Sequence, residues 1–423
     1  MKKLLFFLSI GFLISCNSPL IEDELFLENL MRRNSTEFGS ILSNDSLEVQ
    51  IIYTQINRDS INRPKFKSFY YHVDSTNYFY PASTVKLPQV LLALEKINEL
   101  RASGFQLDKY MAMYHDSVYQ GQQTVKWDTT AVDSMPSVAH YAKKIMVVSD
   151  NDAFNRLYEF LGQKATNGVL KRKGYNVRFL HRLERPLTPD QNRHTEAIRF
   201  VRNDSVIYRQ SMGINEDSVQ PMRKVYKGMG YLKRDSLIRR PFDFTYKNFY
   251  PLQEQQEILK AILFPEAIDP KRRFNLTAED RDFVMQYMSQ LPSETKTPRY
   301  YRDTALYDAY CKFLMFGEDR SPIPKNIRIF NKVGDAYGYL IDNAYIVDFE
   351  NGIEFMLSAV INTNADGVYN DGKYEYKSIG YPFMKNLGRV VYDYELKRKK
   401  KRKPDLTDFI LKYDTSVVTL KRD

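Results

Sequence analysis

The sequence is poor in cysteine and histidine, the residues that most often bind zinc. Among its 423 residues are two cysteines and five histidines, and the histidines show neither His-x-x-x-His spacing nor a cysteine-linked spacing. Zinc sites need such clusters, so we predict no metal site. The segment "GMGYL" at 228–232 lacks the Gly-Lys-Ser/Thr ending of a phosphate-binding loop. We therefore predict neither a metal nor a cofactor.

The chain also has little net charge outside its two ends. The formal charge is +10, but Lys2, Lys3 and the run "KRKKKRK" at 397–403 supply most of it. A near-neutral body does not favour a nucleic-acid-binding surface, and we predict no nucleic-acid partner. We predict a basic tail over 396–423. Such a run is usually solvated, and the alternative is an electrostatic contact with anionic lipid or cell-wall polymer.

The N-terminus has the pattern of an export signal. The stretch "MKKLLFFLSIGFLISCNS" contains two lysines, an apolar core from Leu4 to Ile14, and Cys16. The core is too short to span a bilayer, and the pattern is typical of a secretory signal peptide, here over 1–15. Cysteine directly after Leu-Ile-Ser resembles the lipobox of bacterial lipoproteins, which implies that Cys16 is diacylated. The alternative is a signal peptide that happens to contain a cysteine.

Lipidation of Cys16 would have consequences for location and stability. Two or three acyl chains on one residue make a stable anchor. Asn17 stands where an aspartate resembles an inner-membrane retention signal, so we expect the outer membrane, facing the periplasm. Cys311 is then left without a disulfide partner, and stability must come from a hydrophobic core. We expect a lipid-anchored tether over 16–45 and a folded domain over 46–395.

β-Branched and aromatic residues predict strands at both ends of this domain. Strands are predicted within 47–81 and 326–364, and helices within 83–100, 137–174, 248–268, 276–291 and 376–398. Strands from both termini with helices between them imply one sheet whose edges come from both ends of the domain. Residues 203–247 show no clear period, and we expect an insertion within about 200–330.

The segment "FYPASTVKLPQVLLAL" places Ser83 three residues before Lys86 at a predicted helix start. Residues three apart share a helix face, so the lysine amine can lie beside the serine oxygen. The helix N-terminus favours a developing negative charge, and a desolvated amine near another cation has a lowered pKa. The pattern alone is weak, because Ser293 and Lys296 form a second copy with nothing catalytic around it.

Two further triplets can contribute polar groups. Ser149-Asp150-Asn151 supplies a hydroxyl that can relay a proton and an amide that can orient a substrate; alone it is typical of a helix N-cap. Lys332-Val333-Gly334 supplies a positive charge for a substrate carboxylate and a glycine that permits close backbone approach; alone it is an ordinary strand segment.

Together and in this order, the three triplets resemble Ser-x-x-Lys, Ser-Asp-Asn and Lys-Thr-Gly of the serine β-lactamase and penicillin-binding protein superfamily. "FYPAS", "SDNDAFNRL" and "NKVGDAYGYLIDNAYIV" extend the resemblance, which is closest to class A β-lactamases and covers roughly 47–398. It implies an α/β (α+β) fold of the β-lactamase/transpeptidase type, with an antiparallel sheet flanked by helices plus an all-helical lobe.

The resemblance also assigns roles to individual residues. Ser83 is the nucleophile, Lys86 its base and Ser149 the proton shuttle. In substrate binding, the amide of Asn151 orients the substrate, Lys332 supplies a positive charge and Gly334 permits close approach. The N–H of Asp335 forms the oxyanion hole together with the N–H of Ser83.

The loop that carries the family's deacylation base departs from the pattern. In one alignment of "HRLERPLTPDQNRHTEAIRF", Glu184 is the base within Arg-x-Glu-x-x-Leu-Asn and Thr188 replaces the asparagine. In the other, which aligns more residues, Arg182 to Arg185 match the preceding Arg-Leu-Asp-Arg, and the loop is short and lacks the base. The second alignment predicts acylation without efficient hydrolysis, at a loss of 10²–10⁴-fold. Val333 in place of threonine also points away from ordinary β-lactams.

We therefore expect a monomeric serine acyl-hydrolase or acyl-transferase that acts on a peptide-like amide or ester. Hydrolysis of β-lactams is the enzymatic alternative. A non-catalytic scaffold in the envelope is the alternative from another class, since the short loop and Val333 would suit it.

Overall fold

A computed structural model describes residues 25–217 and 220–414 of the protein. The helices run in chain order as α1 Phe26–Arg33, α2 Ser35–Leu42, α3 Lys86–Ala102, α4 Val138–Val148, α5 Asn151–Leu161, α6 Gln163–Arg172, α7 Pro189–Arg193, α8 Leu252–Leu263, α9 Ala278–Ser289, α10 Phe313–Phe316 and α11 Tyr381–Lys397. The strands are β1 Gln50–Arg58, β2 Pro64–Tyr71, β3 Ala112–Asp116, β4 His194–Thr195, β5 Ala197–Arg202, β6 Ser205–Gln210, β7 Gly213–Ile214, β8 Tyr226–Lys227, β9 Gly230–Lys233, β10 Ser236–Ile238, β11 Phe242–Asp243, β12 Ile327–Ala336, β13 Tyr339–Asp348, β14 Ile353–Asn362 and β15 Val368–Tyr369.

The main sheet joins the two ends of the domain. Its order is β12-β13-β14-β1-β2, and every neighbouring pair is antiparallel. Gln50 of β1 lies opposite Val360 of β14, so an early strand pairs with a late one. The predicted single antiparallel sheet with strands from both termini is confirmed, and so is the fold class.

Both faces of the sheet are buried, and alternate residues of each strand serve different cores. On β14, Leu357 packs with Phe383 and Leu387 of α11, while the adjacent Met356 packs on the opposite face with apolar residues of α3 and α4. This alternation follows from the two-residue period of a strand. The sheet therefore lies between a layer containing α1, α2 and α11 and a helical lobe containing α3 to α6.

The helical lobe follows the sequence pattern closely. Three helices, α4 to α6, fill 138–172, and α3 packs against both α4 and α5. Thr277 caps α9: its hydroxyl accepts a hydrogen bond from Asp280 N at 3.1 Å, and the Asp280 carboxylate accepts one from Thr277 N at 3.2 Å. This reciprocal pair satisfies two backbone donors at the start of α9.

Residues 197–243, where the sequence pattern is weakest, form short strands in small sheets. β5 joins β3 and β6, and β9 pairs with β10 and, in parallel, with β15. The segment lies within the predicted insertion.

The segments predicted as a tether and a basic tail pack partly onto the fold. The tether expected over 16–45 is helical from residue 26, because Leu27, Met31 and Phe38 are buried against the sheet and α11. The tail expected over 396–423 packs back through Phe409 and Tyr413, which are buried after the basic run. In both places short apolar spacing, rather than overall polarity, decides the structure.

The predicted signal peptide and Cys16 lie outside the described residues. Across the two described ranges, no helix has the length and apolar character needed to cross a membrane.

Candidate active site

Ser83 lies on a 3₁₀ turn, Ala82–Val85, directly before α3. Thr84 fixes this turn, since both its N–H and its hydroxyl donate to Pro81 O, at 3.1 and 2.6 Å. Ala82 has a φ of +47°, a left-handed conformation that disfavours a residue with a Cβ. The backbone is thus held in an unusual turn that presents the half-buried Ser83 to a cleft.

Gly334 allows strand β12 to lie against this turn. A Cβ at Gly334 would stand 2.9 Å from Pro81 O and 3.0 Å from Ser83 N. The sequence predicts close approach of a substrate at this glycine; the structure shows close approach of the nucleophile's own backbone. The contact also places Ser83 N beside the segment that leads to Asp335, where the predicted oxyanion hole requires it.

Lys86 is fully buried, and its ammonium group reaches Ser149. Its Nζ donates to Ser149 O and lies 3.3 Å from Ser149 Oγ. Burial lowers the pKa of Lys86 well below that of an ordinary lysine, and the nearby Lys332 lowers it further. The predicted desolvation and neighbouring cation are therefore present. Within the described chain, the lysine's hydrogen bonds go to Ser149 rather than to Ser83.

Ser149 is at the junction of α4 and α5 and has a left-handed φ of +60°. Its neighbour Asp150 caps α5 by accepting a hydrogen bond from Ala153 N at 2.7 Å. The N-cap interpretation of the triplet is thus correct for Asp150, while Ser149 is left free to face the cleft. Asn151 begins α5 and lines the same cleft.

Lys332 approaches Ser149 from the sheet. Its Nζ lies 2.8 Å from Ser149 Oγ and 3.0 Å from Val333 O. Burial lowers the pKa of Lys332 to about 8. Three motifs that are distant in sequence therefore meet at one hydroxyl, with one ammonium group on each side of it.

Two adjoining cavities, of about 420 and 230 Å³, open beside Ser83. Both are lined by Ser83, Asn151, Glu184 and Asp335. Tyrosines form much of the remaining wall: Tyr80, Tyr337 and Tyr374 in the larger cavity, and Tyr307, Tyr310 and Tyr381 in the smaller. Sequence reasoning misses these six, because tyrosines are common in this chain and those at the cleft share no spacing.

Cys311 and Lys312 also escape the sequence analysis. The thiol of Cys311 is buried and lines the smaller cavity, and burial raises its pKa. Lys312 is buried behind it and donates to Asn331 Oδ1 at 2.7 Å. No motif spacing identifies either residue.

Glu184 lies at the wall of both cavities with its side chain exposed and a left-handed φ of +51°. The residues around it are firmly held: Arg182 Nε donates to Glu159 at 2.6 Å and Arg182 Nη2 to His194 O at 2.6 Å. Although the loop is short, a carboxylate therefore faces the cleft that contains Ser83. Its action as a base stays a prediction.

Asp335 is the second carboxylate of the cleft. Its side chain is accessible from the cavity, but the surrounding protein raises its pKa, while Lys332 and Lys86 oppose that rise. Within residues 25–217 and 220–414, no group of three or more His, Cys, Asp or Glu side chains could hold a metal ion.

Comparison with known proteins gives a family match over part of the chain. Residues 40–236 match the model of the beta-lactamase enzyme family. No curated protein matches the chain.

Several solved structures are similar at low identity. One is a mutant of PBP-A in an acyl-enzyme complex with penicillin G, at 16% identity, covering 88% of this chain and 98% of that chain, with a TM-score of 0.46. A second is a β-lactamase from Xanthomonas campestris pv. campestris, at 14% identity, covering 87% of this chain and 98% of that chain, with a TM-score of 0.45. A third is a class A β-lactamase from Clostridium kluyveri, at 15% identity, covering 86% of this chain and 98% of that chain, with a TM-score of 0.43.

The family match includes most of the cleft. Ser83, Lys86 and Ser149 lie within residues 40–236, and Lys332 reaches the same hydroxyl from β12. The match supports membership of the serine β-lactamase superfamily for residues 40–236.

Proposed function

We propose that this protein is an envelope-anchored serine acyl-hydrolase or acyl-transferase that forms an acyl-enzyme on Ser83 with a peptide-like amide or ester. The observation that carries the proposal is the approach of Lys86 and Lys332 to the single hydroxyl of Ser149, at 3.3 and 2.8 Å, in the cleft of Ser83. Burying two lysine amines side by side is energetically unfavourable, and perturbed lysines of this kind are typical of catalytic sites.

In the proposed acylation, Ser83 gives one proton to Lys86, and the leaving group receives one through Ser149. Lys86, kept neutral by its lowered pKa, takes the proton of Ser83 Oγ while that oxygen bonds to the substrate carbonyl carbon. The N–H groups of Ser83 and Asp335 stabilise the oxyanion. As the carbon–nitrogen or carbon–oxygen bond breaks, Ser149 passes a proton to the leaving group and regains one from Lys86, while the charge of Lys332 holds the substrate in place.

Hydrolysis of the acyl-enzyme needs a base that activates water. Glu184 suits this role because it lines both cavities that contain Ser83. This observation favours β-lactam hydrolysis as the second candidate function. Val333 lacks the hydroxyl that would contact a β-lactam carboxylate, and for that reason we place peptide-like amides and esters first.

The anchor is proposed from the sequence alone. Cys16 would carry the lipid and hold the enzyme in the bacterial envelope, at the outer membrane facing the periplasm.

Covalent labelling tests the nucleophile. We expect a fluorescent penicillin or a fluorophosphonate to label the wild type and not Ser83→Ala. The second Ser-x-x-Lys offers a matched control: Ser293→Ala, whose hydroxyl donates to Asp308 at 2.5 Å, should label like the wild type. Labelling that survives in Ser83→Ala, or a folded wild type that neither probe labels, would reject the enzymatic proposal in favour of a scaffold.

A further inference from the structure

The seven cations at 397–403 divide into two groups. Arg398 and Lys400 turn inward, at 3.0 and 3.3 Å from the buried carboxylate of Glu395, which also accepts a hydrogen bond from Tyr53 OH. Both cations are half-buried. They neutralise a charge that the fold has enclosed, and so they have a structural role.

The other five cations turn outward. They are exposed, and none makes an ion pair with another described residue; they are Lys397, Lys399, Lys401, Arg402 and Lys403. Crowding five like charges on a short segment is unfavourable for the isolated protein, because each repels the others. We call these five residues the outward cluster.

The outward cluster lies at one end of the main sheet. The Lys403 side chain covers Gly352 in the turn between β13 and β14, and Asn62, in the turn between β1 and β2, donates to Asp405 O at 2.9 Å. The Ser83 turn instead packs on Gly334, near the opposite end of β12. Antiparallel pairing therefore sets the cluster and the cleft at different ends of the sheet.

The N-terminal end of the described fold lies close to the same place. The ring of Phe26, at the start of α1, is 5.0 Å from the ring of Tyr394, which precedes Glu395 in α11. Ten residues separate Phe26 from Cys16 in the sequence, and ten residues span at most about 35 Å. A lipid on Cys16 would thus hold the outward cluster near the membrane.

We propose that the outward cluster binds an anionic phospholipid surface and directs the cleft away from that surface; this rests on the proposed anchor at Cys16. Lysine and arginine beside an anionic leaflet are attracted over about a Debye length, and several together act additively. Contact with the lipid headgroups would also relieve the mutual repulsion of the five charges. The anchor supplies attachment, and the cluster supplies orientation.

Tryptic cleavage tests the contact with an internal control. The mature lipoprotein would be reconstituted into vesicles of phosphatidylcholine alone or mixed equally with phosphatidylglycerol. We expect cleavage within 397–403 to be about tenfold slower on the anionic vesicles, and high salt to remove the difference. Cleavage at the exposed Lys233–Arg234, in the hairpin of β9 and β10, should be equal on both.

Variants give a second measurement, which does not depend on the acyl chains attached to Cys16. If the protein does not float with the vesicles, it carries no lipid anchor at Cys16. Sedimentation of that protein with each type of vesicle then measures binding through the outward cluster alone. Glutamine at all five positions of the cluster should remove binding to the phosphatidylglycerol vesicles. Glutamine at five exposed cations elsewhere should not; these are Lys171, Arg172, Lys233, Arg234 and Arg239.

Two results would overturn the proposal. One is equal cleavage of the tail on both vesicles together with equal sedimentation. The other is protection by soluble heparin without protection by anionic vesicles, which would assign the cluster to a polyanion. Penicillin labelling of Ser83 is an independent readout in each variant, so failure of the surface and failure of the enzyme are distinguished.

Discussion

Buried charged side chains have different hydrogen-bond partners in the cleft and behind the loop formed by residues 182–195. In the cleft, Lys86 and Lys332 contact a serine hydroxyl and main-chain carbonyls. Behind the loop, Arg182 bonds Glu159 at 2.6 Å, and His115 bonds Glu196 at 2.8 Å.

The consequences for protonation differ accordingly. Burial lowers the pKa of both cleft lysines, because nearby carboxylates such as Asp335 compensate only in part for the lost water. Burial raises the pKa of Glu159 to about 7, although Arg182 opposes that rise. The cleft lysines bond a hydroxyl and main-chain carbonyls, whereas the loop support pairs an arginine with a carboxylate. The first arrangement suits chemistry and the second suits stability.

The largest effect should come from breaking the loop support. We expect Arg182→Met to lower the free energy of unfolding by about 3–5 kcal/mol, because it leaves the Glu159 carboxylate buried without its partner. Urea unfolding followed by circular dichroism measures this. Lys86→Met is the matched change in the cleft and should cost less than about 1 kcal/mol, since it removes a buried polar group and leaves no buried charge without its partner. Equal losses in the two variants would erase the proposed difference between the regions.

A smaller effect is expected on turnover of the acyl-enzyme. Glu184→Gln should slow release of a bound penicillin fluorophore by about 10²-fold or more, while the rate of labelling is unchanged. Asp190→Asn, in the same loop but outside both cavities, serves as the control. If release is already slow in the wild type and Glu184→Gln leaves it unchanged, the alignment without a base is the correct one.

The smallest effect concerns pH. Because the pKa of Lys332 is about 8, raising the pH through 8 removes its positive charge, and we expect the acylation rate to fall by about tenfold per pH unit above that point. Lys332→Arg keeps its charge to much higher pH, so its decline should begin later. Labelling rates across the neutral and alkaline range measure both profiles. Coincident declines would assign the effect to another group.

Much of the site can be predicted from the sequence, because the side chains in the three motifs have defined chemical roles. The order of Ser83, Ser149 and Lys332 predicts their meeting, and the structure brings the latter two within 2.8 Å. Spacing does not reveal which atoms bond: Lys86 shares a turn with Ser83, yet its Nζ bonds Ser149. That choice depends on the left-handed backbone at Ser149, which no local pattern specifies.

The fold shows the same limit. A long periodic segment such as α11 is predicted well, because the helix buries one face and repeats it over several turns. The segments whose packing is not predicted, α1, α2 and the region around Phe409, are short. Their structure is decided by what they pack against: Phe409 lies 4.8 Å from the ring of Tyr345 and 5.6 Å from that of Phe330. Distant partners of this kind leave no local signal.

The strand order has a consequence for how the polypeptide is made. β1 is synthesised early, yet its neighbour β14 comes near the end of translation, and Phe409 follows later still. The sheet cannot close until almost the whole chain has left the ribosome, and such long-range pairing is slow. A nascent chain would therefore remain incompletely folded throughout its synthesis, which is the condition that passage through a narrow export channel demands.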